Sequence, residues 1–143
     1  MTALVPACSS DAQPARGSTA DAYAVVVRWF VDHTESGSDH PVVFAGALGE
    51  GISIGLDTQA AVISATAEFA DVRFIDDRSE VFENDAVRDD GILVALGPAV
   101  ESEGSTTVES AEFTSPTDMI GWTFDLAFRN GTWNLSREPT RVG

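Results

Sequence analysis

One serine in this chain stands in a setting that could support nucleophilic chemistry. Gly51-Ile52-Ser53-Ile54-Gly55 has the spacing G-x-S-x-G, which can hold a serine hydroxyl on a strained turn between a strand and a helix. That chemistry needs an acid and a histidine later in the chain. The two histidines, His33 and His40, both precede Ser53. Asp57, the expected N-cap of the following helix, lies too far beyond the serine for the turn to run straight into that helix. Only a triad in another chain order would remain. The same loop carries Gly49-x-Gly51-x-x-x-Gly55, with Asp76 after the next helix and strand. It imitates the glycine pattern that lets a backbone approach a dinucleotide pyrophosphate. In that pattern the glycines lie at the turn into the helix and further parallel strands follow, whereas after Asp77 the sequence suggests only hairpin-like strands.

Other polar groups are clustered without a matching pattern. Asp32-His33, Glu35 and Asp39-His40 offer carboxylate and imidazole donors, but their spacing fits no metal-ligand set and reads as a solvated loop. Asp76, Asp77, Glu80, Glu83, Asp85, Asp89 and Asp90 lack the alternate-residue ligands and central glycine of an EF-hand loop. No metal and no cofactor is expected. The remaining candidate is His33, one turn beyond Trp29 on the apolar stripe of the first helix. An imidazole with an ordinary pKa of about 6.5 can act as acid or base, and it can equally pack at a helix C-terminus, where its charge is favoured. His33 is thus the candidate catalytic residue, and Trp29 with His33 the candidate ligand contacts. Catalysis would require a facing carboxylate such as Asp125 or Asp76 in a shared pocket.

These residues must be positioned by a chain of 143 residues, a length that suits one domain with its own core. The hydrophobic fraction of 43% excludes a disordered chain. The formal net charge is −15, and all eight basic residues are arginine. Such a surface repels phosphate backbones, so nucleic acid is not an expected partner. The single cysteine excludes an internal disulfide, and no run approaches the ~20 apolar residues of a membrane-spanning helix.

That cysteine lies in Leu4-Val5-Pro6-Ala7-Cys8, which resembles a bacterial lipobox followed by the polar Ser9-Ser10. The resemblance implies export and a lipid anchor on Cys8, with a membrane as partner; the alternative location is cytoplasmic. Pro6 departs from the motif, and a basic and apolar leader is not seen before it. Residues 1–17 read as this segment plus a flexible tether, and 18–143 as the domain. Asn130-Gly131-Thr132 and Asn134-Leu135-Ser136 match glycosylation sequons, but in a hairpin of a bacterial-type chain they are discounted.

Within the domain, Ser18-x-x-Asp21 predicts a capped helix to about His33, with Ala22, Val25, Val26, Trp29, Phe30 and His33 on one stripe and an Arg28–Asp32 pair. A strand is expected at 42–45, a small one at 52–54, a second helix from Thr58 to about Ala70 facing inward through Val62, Ile63, Thr66 and Phe69, and a strand at 71–76. Residues 77–90 read as irregular and acidic, pinned by Val81, Phe82 and Val87. A central strand follows at 92–97, then a flexible connection at 98–105 and an edge strand at 106–113. Asn130-Gly131 predicts a type I′ hairpin. In its register Phe128 faces Trp133 and Leu126 faces Leu135, so Trp122, Phe124, Leu126 and Phe128 share one face. Residues 138–143 are expected to fray.

The element order from about Ser18 to Arg137, closing on the hairpin Thr123 to Leu135, resembles the nuclear-transport-factor-two-like superfamily. The resemblance implies an α+β fold in which a curved antiparallel sheet wraps the first helix around a cone-shaped pocket. Members include isomerases, dehydratases and non-catalytic binding domains, and no catalytic signature carries over. The resulting expectation is a non-catalytic envelope domain that binds a protein partner or a small apolar ligand. The alternative is an isomerase-like or dehydratase-like enzyme with a pocket between the first helix and the sheet.

Overall fold

A computed structural model describes residues 19–34, 38–49, 51–102 and 104–142. Cys8, Ser18 and Glu35, and with them the lipobox and the serine of the capping box, lie outside the described residues.

The fold is α+β: two helices pack on a strongly curled sheet. Helix α1 spans Thr19–His33 and α2 spans Leu56–Thr66. The main sheet runs β2 (Asp71–Phe74), β1 (Val42–Ala47), β5 (Ile92–Ser102), β6 (Ser105–Ser115), β7 (Asp118–Arg129), β8 (Thr132–Leu135), and β9 (Thr140–Val142) also pairs with β7. A separate two-stranded ribbon joins β3 (Phe82–Glu83) to β4 (Ala86–Val87).

The sheet is mixed, not antiparallel throughout. β1 pairs in parallel with both β2 and β5. Parallel neighbours need a crossover of a dozen or more residues; α2 and its flanking loops supply one between β1 and β2. β6 is not the edge strand its glutamates suggested, because β5 and β7 flank it. Nor is 98–105 a flexible connection. Pro98 lies inside β5 where the pairing with β6 slips between Leu96 and Ala99, and at such an irregularity the missing N–H costs no ladder bond. Gly97 beside it is required by crowding, since a Cβ there would stand 2.7 Å from the Glu109 carbonyl oxygen. The Tyr23 hydroxyl donates to the Gly97 carbonyl at 2.7 Å, fastening α1 to this bulge.

The hairpin has the predicted register, with Phe128 opposite Trp133 and Leu126 opposite Leu135. Asn130 and Gly131 take φ of 55° and 82°, as the type I′ turn demands. Residues 140–142 do not fray: they return to β7 alongside Gly121–Thr123.

Side chains alternate between two cores. On the helix side, Val26, Val27 and Phe30 of α1 meet Val43, Ala45, Val94, Leu96, Val108, Phe124 and Leu126, all buried. Phe30 and Phe124 meet edge to face at 5.5 Å. Trp29, Trp122, Trp133 and Leu135 are half-buried at its margin, and Phe128 is half-buried against Trp133. Arg28 and Asp32 form the expected pair at 3.5 Å on the outer face. On the opposite side, Phe44, Leu93, Ala95, Ala111 and Phe113 are covered by Val81.

That cover comes from the acidic stretch, which is ordered and not irregular. A 3-10 turn at Arg78–Val81 leads into the ribbon, whose Asn84-Asp85 loop has φ of 54° and 63°, a second type I′ hairpin. Val81 is fully buried, as its apolar character predicts.

α2 departs from its expected bounds. It begins at Leu56, capped by extended Gly55 with no side-chain bond, so Asp57 lies in the first turn instead of capping. It ends at Thr66, whose hydroxyl donates to the Val62 carbonyl at 2.7 Å, a local bond that competes with helix continuation. Val62 and Thr66 are buried but Ile63 is exposed. Residues 52–54 form no strand.

Candidate functional site

A cleft of about 650 Å³ opens where β1 and β2 end and the glycine-rich loop begins. A volume of this size falls in the range of small-molecule sites. It lies outside the carboxyl ends of two parallel strands joined by a helix, the place where open parallel sheets generally leave a crevice.

One wall is the loop from Gly46 to Ile54. It is held at its start by the Leu48 N–H, which donates to the Leu96 carbonyl at 2.9 Å. At its end, the Gln59 side-chain amide reaches back to the Ile54 carbonyl at 2.9 Å. Between them Gly49 and Gly51 take φ of 116° and 73°, conformations that side chains disfavour. The glycines therefore serve the path of this wall.

The other wall is the segment from Phe74 to Ser79, with Phe82 beyond it. The Ile75 N–H extends the ladder by donating to the Ala45 carbonyl at 2.9 Å. Asp77 is extended and closes the 3-10 turn by accepting from the Ser79 N–H at 2.9 Å and the Ser79 hydroxyl at 2.8 Å. The Ser79 hydroxyl bond and then its N–H bond hold the Asp77 carboxyl below the usual carboxylate range. Arg78 lays its guanidinium 4.5 Å from the ring centre of Phe113, which forms part of the lining with Pro116.

Ser53 and Asp76 both line this cleft, along with Gly49 and Gly51. The structure thus brings together the pieces that the sequence singled out separately. It does not bring a histidine to them. His33 is exposed at the end of α1, stacked on Trp29 at 4.2 Å, and its Nδ1–H donates to the Trp29 carbonyl at 2.8 Å. His40 instead donates to the Ala67 carbonyl at 2.7 Å. Neither lines the cleft. Among the described residues no three carboxylate, histidine or cysteine side chains gather into a metal set.

Asp125, the other suggested partner for His33, is engaged elsewhere. It accepts from the Thr107 hydroxyl at 3.0 Å and stands 3.4 Å from Arg137. Trp29 packs on Phe30, Trp122 and Phe124 between α1 and the sheet. The indole nitrogens of Trp29 and Trp122 have no hydrogen-bond partner among the described residues. Beyond the end of α1, Glu112 is half-buried and accepts from the Thr34 hydroxyl at 3.4 Å. Burial pushes its carboxyl pKa up, against the weaker opposing pull of the Thr34 bond.

Sequence reasoning missed Arg78, Phe82 and Phe113 as site residues. Arg78 opens the 3-10 turn that follows the bend at Asp76, and no alternation pattern in the sequence marked it. Phe113 comes from β6 and could be placed only once the sheet order was known.

Comparison with protein-family models, with curated proteins and with solved structures finds no match for this chain.

Proposed function

We propose that this chain is a non-catalytic binding domain of a bacterial envelope protein, held at a membrane by a lipid on Cys8, and that its ligand is a small molecule seated in the cleft beside the glycine-rich loop. One observation carries the reading: the cleft of about 650 Å³ is lined by the apolar Ile54, Phe74, Phe82 and Phe113 together with polar and charged groups, yet neither histidine lines it to activate Ser53. A site with these properties supports recognition better than acyl transfer.

Thermal unfolding against a library of small metabolites tests it. A ligand bound only by the folded state stabilises by about 2.7 kcal/mol at a hundredfold excess over its Kd. Ser53→Trp, which fills the cleft from the exposed loop, should remove that shift while leaving the ligand-free midpoint in place. A shift that survives Ser53→Trp, or no shift with any compound, would end the cleft reading. The anchor is tested separately by membrane fractionation of the protein expressed from its own gene. Cys8→Ser should move the protein to the soluble fraction, and a variant that stays on the membrane defeats lipidation at Cys8.

A further inference from the structure

Arg78 and Asp76 are oppositely charged groups that line the same cleft. Arg28, Arg73, Arg88 and Arg137 each lie within 4.0 Å of a carboxylate. Arg78 follows two aspartates in the sequence and pairs with neither; its guanidinium rests on Phe113 instead. Asp77 has its carboxylate turned onto Ser79. Asp76, at the bend before the 3-10 turn that Arg78 opens, forms no ion pair with it among the described residues, although both line the cleft. Opposite charges thus share one cavity wall without cancelling each other. Beside them lie the apolar groups Ile54, Phe74, Phe82 and Phe113, and the Ser53 hydroxyl, which likewise has no partner among the described residues.

A ligand carrying one charge is poorly served by this wall. A bare anion attracted to Arg78 meets the Asp76 and Asp77 carboxylates and the field of a chain with net charge −15. A bare cation attracted to Asp76 meets Arg78. A molecule with both charges a few ångströms apart satisfies both groups at once.

Resting on the cleft reading above, we propose that the ligand is a small zwitterion of the α-amino-acid class. Its carboxylate lies at Arg78, its ammonium at Asp76, and an apolar side chain against Phe113, Phe82 and Ile54. Arg suits the carboxylate because its planar fork matches two oxygens.

Calorimetric titration of the full chain with L-leucine, isocaproate, isoamylamine and isoamyl alcohol tests this. These probes share a branched apolar tail and differ in charge. L-Leucine should bind at least about tenfold tighter than any of the other three. Asp76→Asn should reduce L-leucine to the level of isocaproate, and Arg78→Gln to the level of isoamylamine. Both side chains are exposed, and circular dichroism should show both variants folded. If isocaproate or isoamyl alcohol matches L-leucine, or if both variants bind L-leucine as the parent does, the zwitterion is overturned. The cleft reading survives that outcome provided Ser53→Trp abolishes the binding. If no probe saturates up to roughly 10 mM while a library compound gives a shift sensitive to Ser53→Trp, the zwitterion alone falls. Absence of any such compound removes both.

Discussion

On the helix side of the sheet, Phe30, Phe124 and Leu126 lock against one another under fifteen residues of regular helix, and all three are fully buried. On the other side, Phe44 and Phe113 are roofed by flat guanidinium groups: Arg88 lies 4.8 Å from the ring centre of Phe44 and Arg78 lies 4.5 Å from that of Phe113. The first cover is continuous hydrocarbon with a self-satisfied backbone. The second is a 3-10 turn and a ribbon of two-residue strands, anchored inward chiefly by Val81. A helix can seal a sheet face along its whole length, whereas a short charged excursion seals it only where an anchor reaches down. The cleft borders the second face through Ile75, Phe82 and Phe113 and reaches the helix-side cluster through Ile54 and Phe74, so the thinner cover forms one of its walls.

The contrast can be broken by mutation. Phe124→Ala should cost about 3–5 kcal/mol in urea unfolding, the usual penalty for a buried aromatic. Val81→Ala removes two methyl groups from the second core and should cost about 2 kcal/mol. It should also speed hydrogen exchange over 78–90 while leaving α1 protected. Equal costs, or exchange that accelerates equally in α1, would mean that the two faces form one cooperative unit. Arg88→Gln should cost about 0.5–1 kcal/mol through loss of the ring contact. A neutral result would reduce that guanidinium to decoration.

The smallest effect sharpens the comparison through pH. Glu112 pairs across the sheet with Val94, a residue of the helix-side core, and its pKa is raised by burial. A folded-state pKa above the unfolded value means that the native state holds the proton more tightly. The contribution of Glu112 to stability is therefore greatest below the unfolded value of about 4.5 and is lost as pH rises through the raised folded value. Glu112→Gln should flatten that fall and raise the thermal midpoint near neutral pH relative to the parent. A pH profile unchanged by the substitution would show that Glu112 is as well solvated folded as unfolded.

The parts legible in the sequence are those in which two local rules agree. At 121–135 the dihedral demand of Asn130-Gly131 and the two-residue alternation select the same register, and β7 and β8 pair in that register. In α1 the apolar stripe fixes the buried face, although His33 at its end turns to solvent. The parallel pairing of β1 was not legible, because runs such as Val42-Val43-Phe44-Ala45 carry no direction. Asn84-Asp85 was hidden by its acidic surroundings: the same turn chemistry as Asn130-Gly131 was present, but without long alternating flanks. The glycines and Asp76 stood out as motif fragments. Their meeting in one cleft depends on β1 and β2 lying side by side, which is a property of the assembled sheet.

The outer edge of β7 has a further consequence. That twelve-residue strand is bordered on one flank by β6 and on the other by two short pieces: β8 along Leu126–Arg129 and β9 along Gly121–Thr123. The opposite end of the sheet closes with β2, four residues long, with Arg73 facing out. Neither border offers a neighbouring molecule a long, flat row of free amides and carbonyls on which to add a strand. A chain rich in β-structure is thereby discouraged from stacking edge to edge into fibrils.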